Sequence, residues 1–246
     1  MSTFEPCAIV PTYDNPHTVE RVVQQVLEHV PLMILVDDGS HAPAIEVLDR
    51  LGKNPGVVLL RHEHNRGKGA AMKTGLREAA ARGFSHALQV DADGQHDLTD
   101  IPRFLAQARE QPQALVLAAP RFDDTRPRIR GFGHWLTGFW TRLEVRGTDI
   151  EDPQCGFRVY PVGAAVATRV RGDRMDFDPE IAVRMRWGGT PIINLPTRVR
   201  YLQPEEGGVS HFRMGLDNLL ISWMHTRLMT LSIMRRVLRP FRRLWG

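Results

Sequence analysis

Two carboxylates one residue apart, Asp91 and Asp93, close the apolar run of Ala87, Leu88 and Val90 and lead into Gly94, Gln95 and His96. Alternate residues of an extended segment face the same way, so Asp91, Asp93 and Gln95 can offer three oxygens to one hard cation, Mg²⁺ or Mn²⁺. A cation held there can also grip a diphosphate. An EF-hand loop is excluded, because its sixth and twelfth positions would be His96 and Pro102 instead of Gly and Glu. An aspartyl-nucleophile phosphatase carries a similar pattern, but at its first strand and with Thr or Val where Gln95 stands. The plain alternative is a solvated turn capped by Asp97 to Asp100, so the surrounding chain must decide.

The elements that would carry these acids alternate. Apolar strand-like runs at 7–10, 32–36 and 57–60 are each followed by a polar loop and then a helical pattern, over roughly 17–29, to about 51 and to about 82. The fourth strand delivers Asp91 and Asp93, and a fifth is expected at 115–118. This order predicts an α/β fold: a Rossmann-like, mainly parallel sheet with helices on both faces and its polar loops converging at the strand C-termini. No G-x-G-x-x-G follows the first strand, and 65–69 lacks the full spacing of a P-loop, so dinucleotide-dependent oxidation and P-loop phosphate transfer are disfavoured.

A chain of 246 residues with 42% hydrophobic content can bury one substantial core, predicting a main domain over 1–208. Cys7 and Cys155 lie far apart without metal-ligand spacing, which suits a reducing compartment, and the first six residues hold Glu5 and no basic leader. The expected location is therefore cytoplasmic. Over 211–246, seven arginines face one aspartate, a local +6 in a chain whose total is +4. Apolar residues interleave with them: Leu216, Leu219, Leu220 and Trp223 recur at helical spacing. That predicts a basic amphipathic helical tail over 209–246, lying on an anionic membrane surface at the inner face rather than binding nucleic acid. The segment 218–234 contains Arg227 and falls short of the roughly 20 apolar residues needed to span. The alternative is a helix packed on the protein's own core.

Five segments in order, Val10-Pro11-Thr12-Tyr13, Val36-Asp37-Asp38-Gly39-Ser40, Asn65-Arg66-Gly67-Lys68-Gly69, Asp91-Ala92-Asp93-Gly94-Gln95-His96 and Asp152-Pro153-Gln154-Cys155-Gly156-Phe157-Arg158, resemble the inverting family-2 glycosyltransferases of GT-A fold. The likeness is greatest to the dolichyl- and polyprenyl-phosphate sugar synthases. It implies a nucleotide-diphosphate sugar donor, a lipid-linked acceptor, and Mg²⁺ or Mn²⁺ on Asp91, Asp93 and Gln95. It further implies that Pro11, Thr12, Tyr13, Asp14, Asp38, Lys68, Asp91 and Ala92 line the donor site, with Asp14 shifted from the family's acidic position after this tyrosine. Arg121 and Arg130 correspond to acceptor-phosphate arginines. Asp93 and Asp152 correspond to catalytic positions; Asp152 serves as base if the acceptor is an alcohol and as an orienting group if it is already an anionic phosphate.

The chain departs from the pattern near 205–211. Glu205 and His211 stand where the family has two cations, leaving His211, Arg213 or Arg200 to meet phosphate. Transfer to a glycolipid hydroxyl, a catalytically silent membrane-docking protein on this scaffold and a nucleotidyltransferase are the competing readings. The last is disfavoured because no Gly-rich, Arg-containing loop follows the first strand.

Overall fold

The structure, a computed structural model, describes residues 3–122, 128–147, 149–200 and 213–242. Its strands are β1 (Pro6–Thr12), β2 (Met33–Asp37), β3 (Val57–Arg61), β4 (His86–Gln89), β5 (Leu115–Phe122), β6 (Arg158–Pro161) and β7 (Ile192–Val199). They form one sheet in the order β3-β2-β1-β4-β6-β5-β7. The helices are α1 (Val19–Leu27), α2 (Ala44–Leu51), α3 (Lys68–Ala81), α4 (Ile101–Glu110), α5 (Arg128–Val145), α6 (Val162–Ala167), α7 (Phe177–Trp187) and α8 (Met214–Arg242).

Alternation along the strands divides the core between the two faces of the sheet. Ala8, Val10, Met33, Leu35 and Leu88 face one apolar cluster with Val19, Val22, Val23 and Val26 of α1. Cys7, Ile9, Ile34, Val36 and Ala87 face the other, with Ala71, Met72 and Leu76 of α3 and Ile181 of α7. The small residues of α3 allow a close approach: a Cβ on Gly75 would stand 2.5 Å from Ile9 Cγ2, and one on Gly69 2.5 Å from Phe177 Cβ. The start of α3 is thereby pressed against the start of α7.

The expected mainly parallel sheet is present, with one reversal. β6 runs antiparallel to both β4 and β5, pairing Gln89 with Arg158 and His86 with Pro161. The segment entering β6 therefore arrives at the edge where β4 ends. β7 lies parallel to β5, and beyond it Arg200 N donates to Gln95 O at 3.0 Å, lacing the loop after β4 to the far side of the sheet.

The C-terminal helix is not a detached tail. On α8, Ile221, Met224 and Leu228 are buried in the second core cluster. Buried polar pairs tie it down: His225 Nδ1 lies 2.8 Å from Glu144 Oε1 of α5, and Arg227 donates at 2.6 Å to Glu180 of α7. Glu180, fully buried, also takes Arg184 at 2.6 Å and the Gly172 N–H at 2.9 Å. The boundary expected at 208–209 thus does not separate α8 from the core. Its opposite side leaves Leu216, Leu219, Trp223, Ile233, Met234 and Val237 exposed. Among the described residues no helix is long and apolar enough to cross a membrane.

Because Leu228 is fully buried, Leu228→Ala is expected to destabilise the whole domain by about 2–5 kcal/mol, read from urea unfolding. A loss under ~0.5 kcal/mol would show that α8 is not part of the cooperative core.

Candidate active site

Asp91 leaves the end of β4 into a ring of fixed neighbours. Lys68, the first residue of α3, places Nζ 2.8 Å from its carboxylate and 2.8 Å from Asp178 Oδ2 at the start of α7. His96 Nε2 stands 3.8 Å from Asp91, its ring stacked on Phe157 with centroids 5.5 Å apart. Gly156 lies so close that a Cβ there would run into both Asp91 carboxylate oxygens. Burial pushes the Asp91 pKa up, but the Lys68 ammonium outweighs it and holds the carboxyl far below the usual range. For Lys68, burial favours the neutral amine; Asp178 first and Asp91 next overcome this and keep it charged.

Asp93 is placed by an Asx turn, its Oδ1 accepting from Gln95 N at 3.1 Å. Burial raises its pKa, and the neighbouring charge of Asp91 raises it further. Between the two acids, the Ala92 carbonyl accepts from Thr18 Oγ1 at 2.6 Å, so the loop is tied to the residue that starts α1. Both carboxylate oxygens of Asp91 lie 2.8 Å from Lys68 Nζ. No group of three His, Cys, Asp or Glu gathers as a metal cluster among the described residues.

The segment before β6 turns on Asp152, whose Oδ1 accepts from Gln154 N at 2.8 Å and Cys155 N at 3.1 Å. Beneath it lies Arg158, fully buried, donating to the carbonyls of Cys155 at 2.6 Å, Pro153 at 2.5 Å and Asp178 at 2.7 Å. The Cys155 thiol is buried and its pKa is driven up by that burial, so it is a packed group, not a nucleophile.

Pro11, Thr12, Tyr13 and Asp14 leave β1 beside the 37–40 loop. Asp14, at φ 47°, accepts from His41 N at 2.7 Å and lies 3.1 Å from His41 Nδ1. Tyr13 meets the same ring edge-on at 6.1 Å. Thr12 Oγ1 is buried without a partner among the described residues. Asp38 makes its contacts inside the protein: Oδ1 accepts from Arg66 N at 3.0 Å and sits 2.7 Å from His62 Nδ1, and Oδ2 accepts from Gly67 N at 2.6 Å. Its geometry is that of a latch on the 65–67 loop. Gly67 adopts φ +105°, and any side chain there would strike the Asp173 carbonyl. Asp37 is similarly internal, held by Arg61 Nε at 2.6 Å and Ser40 N at 2.8 Å.

Arg121, next to last in β5, is exposed and in register with exposed Arg198 of β7. Arg213 stands just before α8, its N–H donating to Asp217 Oδ2 at 2.7 Å, and its charge reaches Tyr13. Arg130 falls in the first turn of α5, but its side chain, like the whole of Glu205 and His211, lies outside the described residues.

The model of glycosyl transferase family 2 matches residues 7–165, well over half of the chain and all five motifs. The chain belongs to glycosyl transferase family 2. Among its relatives is the UDP-N-acetylglucosamine–dolichyl-phosphate N-acetylglucosaminyltransferase of Methanococcus voltae, 25% identical over 215 residues, covering 79% of this chain and 85% of that one. Another is the undecaprenyl-phosphate mannosyltransferase of Micrococcus luteus, 27% identical over 159 residues, covering 62% and 64%. In fold it is similar to glucosyl-3-phosphoglycerate synthase from Mycobacterium tuberculosis, crystallised with Mn²⁺, UDP and product, at a TM-score of 0.64 and 17% identity, over 94% of this chain and 79% of that one. It is a glycosyltransferase with a GT-A-like sheet, as the motifs implied.

Three residues central to this family-2 site stand outside the expected set: Asp178, Gln89 and His62. Gln89 is a buried polar residue inside an apolar strand, donating to Asp178 at 3.1 Å and accepting from Tyr160 at 2.8 Å. A polar residue interrupting a strand was the available signal for it; His62 and Asp178 carry none without the fold. Since Gly156 abuts Asp91, Gly156→Ala is expected to lower kcat roughly 10- to 100-fold by displacing that carboxylate. Steady-state kinetics beside a thermal melt checks this, and unchanged kcat would show that the contact does not matter.

Proposed function

We propose that this enzyme transfers a sugar, with inversion, from a nucleoside-diphosphate sugar to a polyprenyl-phosphate-type lipid at the cytoplasmic membrane face. The observation that carries the reading is the meeting of Asp91 and Asp93 with the Asp152 segment at one sheet edge, in a chain whose relatives are named for lipid-phosphate acceptors. Asp91 and Asp93 fit a divalent cation: they are two partly buried carboxylates one residue apart, and the Lys68 ammonium beside Asp91 is shared with Asp178. Mg²⁺ and Mn²⁺ are commonly held by one or two carboxylates completed by substrate phosphates and water. When bound, the ion would offset charge on the departing diphosphate.

Around it, Thr12, Tyr13 and Asp14 border the nucleotide, Asp38 keeps the 65–67 loop in place, and Lys68 holds Asp91 anionic. Arg121 beside Arg198 is a pair of like charges that an anion would relieve, suited to the acceptor phosphate together with Arg130. Arg213 and His211 would supplement the grip on phosphate from the C-terminal side. Asp152 orients an anionic acceptor; for a hydroxyl acceptor it would be the base.

Access to a lipid is supported by two neighbouring helices. α5 exposes Trp135 at 62%, with Phe139 stacked on it at 5.9 Å, and α8 exposes Leu219 at 71% and Trp223 at 64%. Tryptophans on an exposed apolar face, with the arginine excess of 211–246, suit an anionic bilayer.

The full chain with Mn²⁺, a panel of nucleotide sugars and polyprenyl phosphate is expected to yield a glycosylated lipid phosphate by mass spectrometry, and Asp93→Asn or excess chelator to abolish it. Turnover that survives both would overturn the metal assignment, and a product on a hydroxyl would overturn the acceptor. In flotation assays the full chain should bind anionic liposomes and be released by salt. Trp135→Ser with Trp223→Ser should lose at least half of that binding; undiminished flotation of this pair would remove the helices from the docking surface.

A further inference from the structure

One buried carboxylate touches both halves of this site. Asp178, the second residue of α7, is 3% exposed. Its Oδ2 stands 2.8 Å from Lys68 Nζ, the same ammonium that lies 2.8 Å from Asp91. Its Oδ1 accepts from Gln89 Nε2 at 3.1 Å, on the strand that delivers Asp91, and lies 3.9 Å from Arg158 Nη1. Its main-chain carbonyl takes that same Nη1 at 2.7 Å, while the other arms of Arg158 hold the Pro153 and Cys155 carbonyls.

Lys68 between two carboxylates cannot give its full charge to either. Were Asp178 neutral, the ammonium would lean wholly on Asp91 and compete with any cation drawing on that group. Sharing the ammonium leaves Asp91 anionic, placed and still able to donate electron density. Arg158 transmits the same anchor to the turn that presents Asp152.

We propose that Asp178 is a positioning residue that fixes Lys68 against Asp91 and Arg158 against the 152–155 turn, setting the cation side and the acceptor side of the site from one point. The cation part of this rests on the metal-and-nucleotide reading above. Outer partners of this kind typically alter metal affinity or activity by 10- to 100-fold.

Two readouts on the full chain test it. In ¹⁵N-lysine spectra the largely enclosed Lys68 ammonium should give a slowly exchanging signal, assigned by its loss in Lys68→Met, and Asp178→Asn should shift or remove it. By calorimetry, Asp178→Asn should weaken Mn²⁺·UDP, or Mn²⁺·GDP where wild type prefers it, about 10-fold, yet change it less than about 2-fold when Lys68→Met is already present. An unmoved ammonium signal, or the same loss of affinity in both backgrounds, would overturn the proposal. If Asp178→Asn does not fold, Asp178→Glu replaces it, keeping the charge on an arm one methylene longer, with the same two expectations. A wild type that binds neither nucleotide with Mn²⁺ would sink the donor-site reading, while the ammonium signal still decides whether Asp178 holds Lys68.

Discussion

Negative charge taken out of water at one edge of the sheet is the constraint to which the rest of the molecule answers. Asp37, Asp38 and Asp178 are buried, and Asp91 partly so, in or near strand ends and helix starts on that edge, and the desolvation of each must be offset by a cation or by aimed N–H groups. Asp37 takes Arg61, Asp38 takes His62 and two main-chain amides, and Asp91 and Asp178 share Lys68. These partners come from β3, the loop after it and the start of α3. The first three strand–loop–helix units are therefore bound together by charge compensation as well as by apolar contact. Asp93, next but one to Asp91, has its pKa raised first by burial and then by that neighbouring charge, and under the proposed function a cation would complete the compensation there.

Much of this could be read from residue order alone. Apolar runs bounded by Gly, Asn and Asp marked β1 to β5, and five short motifs placed the polar loops at the ends of strands. What pattern could not supply was partnership. Asp38 reads as a residue for the nucleotide because it follows a strand, and its sequence says nothing of the contacts its oxygens make with His62 and with amides of a loop nearly thirty residues away. Lys68 reads as a phosphate ligand because it opens a helix, yet it is clasped by two acids, one of them more than a hundred residues distant. Such pairings depend on how closely α3 approaches α7, and that closeness is set by glycines whose sequence signal is only their small size.

The C-terminal helix shows the same limit. Its helical spacing of Leu216, Leu219 and Trp223 was visible, and those residues are exposed. The opposing side was harder to see, because Met224, His225 and Leu228 look no different from a surface stripe until Glu144 and the second core cluster are in place. A helix anchored by ion pairs on its inner face and bearing tryptophan on its outer face is part of the enzyme body, so any surface that holds the outer face also fixes the direction in which the sheet edge points.

The reversal of β6 has a further consequence. Had β6 run parallel to β4, its entering segment would have started at the opposite edge, and Gly156 could not touch Asp91. Running backwards, it brings the 152–157 stretch to the end of β4, where Asp152 closes its own turn and Arg158 holds the Pro153 and Cys155 carbonyls. The segment that carries Asp152 and the acids after β4 are therefore tied to one pair of strands, and under the proposed function neither side of the site can shift without carrying the other with it.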